Sequence, residues 1–311
     1  MAALPWPDGK RFAFSIFDDT DLARPGNYEA AYECLYRCGM RTTKSVWPAT
    51  GPGLEPRGRE GSTCDDAEYL RYVLELQRRG YEIGYHNAYH TGLHRGQVER
   101  ALDRFRELFG HDPVTMSNHA LSREGIYWGA ARLSPPLSTL YRLLVARGPG
   151  SHEGHVVGSP YFWGDLCQRR IRYVRNFVFG RIDTLASCPW MPYHDPARPY
   201  VNAWCAAAHA QHCAHFVDML SEAHQDALEA SGGACIVYTH FAAEFVDASG
   251  RLHARVRQLL ERLSRKPGWF VPVGTLLDYI AARRGISRLS AAARQSLEWR
   301  WLAHKLLVGA G

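Results

Sequence analysis

Asp18 and Asp19 close an apolar run, Arg11-Phe12-Ala13-Phe14-Ser15-Ile16-Phe17. A second run, Tyr81-Glu82-Ile83-Gly84-Tyr85, is closed by His86, with His90 four residues on. Two imidazoles and a carboxylate that meet with open coordination positions make a catalytic centre for a divalent ion. One helical turn after the strand would put His86 and His90 on the same face. The donors do not choose the metal: zinc leads, and iron, cobalt, nickel and manganese suit the same set. One of the paired aspartates can bind the ion while the other takes a proton from water. Asp21 reads as an extra carboxylate in a loop or cap. His240 follows another apolar run, Ala234-Cys235-Ile236-Val237-Tyr238, and is positioned to protonate a leaving group from the opposite wall.

These residues need a scaffold that brings strand ends together. The chain reads as alternating strands and helices: strands at 11–17, 40–46, 81–85 and 113–118, with helices at about 27–39, 64–79 and 95–109. Residues 173–179 alternate like a strand, 203–230 read as one long helix, and 234–238 and 269–273 read as strands. Helices at 251–265 and from about 275 complete the pattern. Such alternation implies a parallel sheet with crossovers, closed or nearly closed into a barrel. In a parallel barrel the functional groups sit at the C-terminal strand ends. Four separate strands here end in ionisable or amide residues: Asp18-Asp19, His86, Asn118-His119 and His240.

With 311 residues, 46% of them hydrophobic, the chain can bury a large core. The net charge of +6 has no long basic run behind it, and no nucleic-acid-binding motif is visible, so a nucleic-acid partner is not expected. No Gly-rich dinucleotide fingerprint or phosphate-binding loop follows the first strand. No run is long enough to span a membrane, and the N-terminus lacks the apolar core of a secretion signal. Eight cysteines in so long a chain read as reduced thiols, which points to the cytoplasm.

The order of these residues resembles the NodB-type polysaccharide deacetylase superfamily of carbohydrate esterases. Phe17-Asp18-Asp19 is similar to its first motif. Gly80-Tyr81-Glu82-Ile83-Gly84-Tyr85-His86, with His90, is similar to its second, and Ile236-Val237-Tyr238-Thr239-His240 to its late strand-ending histidine. The resemblance covers residues 11–280 and implies a distorted (β/α)7 barrel. It implies Asp18 as catalytic base, Asp19, His86 and His90 as metal ligands, and His240 as catalytic acid. It also implies hydrolysis of an amide, typically the acetamide of an amino sugar. The chain departs from the family at Thr20, where Gly is usual. At Met116-Ser117-Asn118-His119 the family has an Arg-Pro-Pro-type segment whose arginine orients the base; Arg123 is the stand-in. Trp190, His194 and Asp195 are candidates for the family's Asp/Trp motif. Asn118, His119, Arg123, Trp47 and His194 are therefore expected to face the substrate.

The expected organisation is a barrel over 1–285, elaborated at about 120–200, followed by a basic amphipathic helix over 286–311. Trp299, Trp301, Leu302, Leu306 and Leu307 could lay that helix on a membrane surface. The substrate would then be a small-molecule or lipid-linked glycan at the inner membrane face. The loop 47–63, with four glycines and three prolines, is long enough to act as a lid. Two other readings stand beside the deacetylase: a glycan-binding scaffold without turnover, and a hydrolase of a non-sugar amide on the same barrel.

Overall fold

The computed structural model of the chain describes residues 4–145 and 151–308. The Gly148-Pro149-Gly150 stretch, residues 1–3 and residues 309–311 of the C-terminal segment lie outside the described residues. Seven parallel strands close on themselves: β1 Phe12–Asp18, β2 Thr43–Val46, β3 Glu82–Tyr85, β4 Thr115–Ser117, β5 Tyr173–Phe179, β6 Ala203–His209 and β7 Ala234–Thr239. Each pairs with the next, and β7 returns to β1 in register Asp18↔Thr239. A further parallel strand, Gly268–Phe270, pairs with the first half of β1.

Burial explains the sequence of these strands. All seven residues of β1 and all seven of β5 are buried, as expected for strands covered on both faces. The outer helices carry apolar stripes instead. Arg95–Phe109 buries Val98, Ala101, Leu102, Phe105 and Phe109, and stops at Gly110 in the left-handed conformation.

The segment expected as one helix over 203–230 is strand β6 followed by helices Cys213–Met219 and Glu222–Ser231. Alanine favours helices in isolation, but Ala203-Trp204-Cys205-Ala206-Ala207-Ala208 is continuously buried between β5 and β7, where tertiary pairing decides. The expected lid is pinned rather than free. Its hairpin, Arg57–Gly58 with Gly61–Ser62, is tied to Asp66 through Arg57, and Ser62 N–H donates to the Ala23 carbonyl.

The C-terminal helix Ala291–Val308 packs on the barrel. Leu297, Trp301 and Leu302 are buried, so Trp301 and Leu302 cannot face a membrane, while Trp299, Leu306 and Leu307 remain exposed. Buried Glu298 pairs with buried Arg198 at 3.0 Å and accepts from Ser134. Among the described residues no helix is long and apolar enough to cross a membrane.

Glu124, in the excursion between β4 and β5, is a buried carboxyl whose Oε2 accepts the Leu93 N–H, while among the described residues Oε1 has no partner. Burial pushes its pKa up to about 8. The folded chain therefore keeps a proton that the unfolded chain releases at about pH 4.3, and stability falls as pH rises through that window. Glu124→Gln is expected to flatten this fall, seen as urea midpoints that no longer differ between about pH 5 and about pH 8. Unchanged pH dependence in the variant would contradict it.

Candidate active site

At the C-terminal mouth of the barrel, the turn after β1 carries Asp21 into the centre of three histidines. His86 Nε2 lies 2.8 Å from Asp21 Oδ2, His119 Nε2 2.9 Å from Oδ1, and His240 Nε2 3.3 Å from Oδ2. His86 follows β3, His119 follows β4 and His240 follows β7, so the strand ends do converge, but their hub is Asp21. The turn is held by the hairpin. Leu22 N–H donates to Glu60 O at 2.6 Å, and Gly61, at φ +135°, sits where a Cβ would come within 3.2 Å of the backbone of Thr20, Leu22 and Ala23.

Each imidazole is oriented by its second nitrogen. Ser117 Oγ donates to Asp19 Oδ1 at 2.7 Å and has no further proton, so at 2.7 Å from His86 Nδ1 it accepts. His86 in its neutral form therefore turns a bare Nε2 lone pair toward the Asp21 carboxylate. Two acceptors at 2.8 Å require a proton or a cation between them. His240 Nδ1 donates to the Gln211 carbonyl at 2.8 Å. His119 Nδ1 has only 3.4 Å contacts, to Leu121 N–H and Ser122 Oγ. Its backbone N–H donates to Asn87 Oδ1 at 2.7 Å.

The donor chemistry fits a divalent ion. The ligand atoms of Asp21, His86 and His119 lie within 4.8 Å of one another, as do those of Asp19, Asp21 and His240. One carboxylate and two imidazoles, with the His86 ring fixed from behind by Ser117, match a catalytic metal set. Burial raises the Asp21 pKa, but with a proton on His86 its charge and the hydrogen bonds from His119, His240 and His86 outweigh burial and hold the carboxyl well below its usual range. Burial lowers that of His240, and Asp21 more than reverses this, so its pKa is raised.

Asp19 faces His240 and His86 but is also held from the other side by an arginine. Arg175, from the middle of β5, clamps it with Nη1 to Oδ1 at 3.0 Å and Nη2 to Oδ2 at 2.6 Å. Burial raises its pKa; Arg175, together with His86 and His240, outweighs burial and lowers it, which keeps the group ionised. Counting lone pairs, Arg175 and Ser117 fill Oδ1 and leave one position on Oδ2. Asp18 is engaged elsewhere. It pairs with buried Lys44 at 3.1 Å and accepts from Tyr32 OH at 2.7 Å and Phe241 N–H at 2.8 Å. It does not line the cleft, whose wall includes Asp19, Asp21, His86, His119, Arg175 and His240 within a volume of ≈ 950 Å³.

His90 is not brought to Asp21. Asn87 takes the left-handed conformation, φ 58°, immediately after His86. The chain turns there instead of starting a helix, which removes the shared face expected for residues four apart. His90 lies behind His119, ring centroids 6.4 Å apart, against Tyr89 and Trp47. Trp47 is fully buried and stacks on His86 at 6.1 Å, so it supports the histidines and offers no face to the cleft. Asn118 lines the cleft while both ends of its amide bond Ile126. Arg123 pairs with Glu153 at 2.8 Å, away from Asp19. His194 faces the Val201 and Asn202 carbonyls, and Asp195 pairs with Arg198 and Arg294.

Reading the sequence alone gave Asp21 no chemical role, left His119 among the substrate contacts and overlooked Arg175. A signal existed for the last. A guanidinium inside the buried run Tyr173-Val174-Arg175-Asn176-Phe177 demands a buried anion nearby.

No protein-family model and no curated protein matches the sequence. Solved structures do. A protein described as a polysaccharide deacetylase from Mycobacterium smegmatis superposes with TM-score 0.53 at 14% identity, over 94% of this chain and 97% of that one. One of the same description from Pseudomonas aeruginosa PAO1 gives 0.53 at 12% identity, over 92% and 96%. The allantoinase PuuE gives 0.54 at 11% identity, also over 92% and 96%. The barrel is thus the polysaccharide deacetylase fold over nearly its whole length, as the sequence motifs implied.

Proposed function

We propose that this chain is a metal-dependent hydrolase of a carbon–nitrogen amide bond, acting as a deacetylase on an N-acylated sugar or glycan precursor. The observation that carries this reading is the convergence of Asp21, His86, His119 and His240 beside an Arg-clamped Asp19 at the C-terminal mouth of a deacetylase-type barrel. Asp21, His86 and His119 would hold the ion, with zinc the leading candidate. When bound, a divalent ion supplies Lewis acidity. Asp19, held by Arg175 and Ser117, accepts the proton of the attacking water through its remaining Oδ2 position. His240, held through Nδ1 by Gln211, delivers a proton from Nε2 to the departing amine. Eight free cysteines support a reducing compartment such as the cytoplasm.

The test is release of free amine from a panel of N-acetylated sugars by zinc-, cobalt- or manganese-loaded protein. Turnover that disappears in Asp19→Asn and His240→Ala, with the ion still bound in both, supports the assignment. No amine from any N-acyl sugar, with cleavage of a ureide such as allantoin, would favour the second reading. That reading is a hydrolase of a non-sugar amide. It draws on the allantoinase among the structural neighbours and on the burial of Trp47, which removes an aromatic surface expected to face the substrate.

A further inference from the structure

The cleft has a second pole that the hydrolytic centre does not use. Arg132, at the end of the turn Gly129–Arg132, lines the same cleft and is 3% exposed. Its guanidinium lies between two indoles, 4.1 Å from the Trp128 ring and 4.4 Å from the Trp301 ring. Its other neighbours supply no anion: the Gly129 carbonyl, 3.4 Å from Nε, Tyr141, and the cationic Arg175, whose charge adds to the cost of burying it. Nη1 is buried without a partner. Lys305, in the last turn of the C-terminal helix, lines the cleft beside it, and the Arg132 charge adds to burial in lowering its pKa. Among the described residues, neither cation has a carboxylate within ion-pairing distance.

The other deeply buried arginines show how unusual this is. Arg175 is neutralised by Asp19, and Arg198 by Asp195 and Glu298. A buried charge without a counter-ion is costly, so the fold either neutralises it or keeps it for a ligand. The cleft's own carboxylates are not available to it. Asp19 is clamped, Asp21 is surrounded by imidazoles, and Glu60 is an exposed residue of the hairpin beside Leu22.

We propose that the ligand of this cleft carries an oxyanion, a carboxylate or a phosphate, seated on Arg132 and Lys305, with its scissile amide reaching the Asp21 centre. The second half of this statement rests on the hydrolase reading; the first does not. Guanidinium and ammonium converge on one oxyanion as a bidentate and a point donor, and the flanking indoles exclude water from the pair. Neutral N-acetyl sugars would leave both cations unpaired and bind more weakly.

Calorimetric titration of the purified protein with inorganic phosphate and, separately, with succinate tests the subsite without any turnover. Binding in the millimolar range or tighter is expected for at least one of them, and which one identifies the oxyanion. Affinity should fall about tenfold or more in Lys305→Gln and in Arg132→Gln, and stay unchanged in His119→Ala. Should Arg132→Gln fail to fold, Lys305→Gln decides alone. No heat with either anion, affinity unchanged in Lys305→Gln, or binding lost in His119→Ala would overturn the proposal. The last result would place the anion on the Asp21 centre instead.

Discussion

Asp21→Asn is expected to release the divalent ion and lower amide hydrolysis by about a thousandfold or more, the range found when a transition-state charge stabiliser is removed. Asp21 is the carboxylate that all three imidazole Nε2 atoms face, at 2.8, 2.9 and 3.3 Å. Replacing it leaves three rings without the anion that orients them. Ser117→Ala should have a smaller effect, about 10- to 100-fold, because it frees the His86 ring and one hydrogen bond of Asp19 without removing a ligand. Free-amine release and elemental analysis on the same preparations check both. An Asp21→Asn protein with full metal content and full turnover would refute the assignment.

Arg175→Met is expected to be the most damaging single change to the fold near the cleft. Arg175 and Asp19 are 3% and 2% exposed as side chains and meet in two parallel hydrogen bonds. Removing the guanidinium strands a buried carboxylate, at a cost of about 3–5 kcal/mol. Adding Asp19→Asn to that variant removes the stranded charge and should recover much of the loss. Urea denaturation of the wild type, the single and the double variant measures this. A single variant within about 1 kcal/mol of wild type, or a double variant as unstable as the single, would show that the pair does not behave as a coupled buried unit.

The architecture was largely legible because its signals are local and periodic. β5 is found at the expected residues, 173–179, and the helix Arg95–Phe109 at its expected limits, since alternation and an amphipathic stripe with a terminal glycine are short-range patterns. β6 was not legible, because an alanine-rich strand buried on both faces carries no period and matches helical propensity better. The site was legible as a set of strand ends but not as a set of distances. Which of Asp18, Asp19 and Asp21 faces inward depends on a turn pinned by a hairpin some forty residues later. Which of His90 and His119 reaches Asp21 depends on one left-handed residue, Asn87. Both are tertiary facts that spacing does not carry. Arg175 could have been suspected as a charge in a buried strand, but its partner is 156 residues away in sequence.

The proposed metal set is Asp21, His86 and His119, with no place in it for His90. The most direct test is elemental analysis of three proteins purified alike and dialysed against the same divalent metal: wild type, His119→Ala and His90→Ala. The predicted result is about one equivalent of metal in wild type and in His90→Ala, with little or none in His119→Ala. Metal retained by His119→Ala and lost from His90→Ala would contradict the arrangement described here and restore the His86–His90 pair.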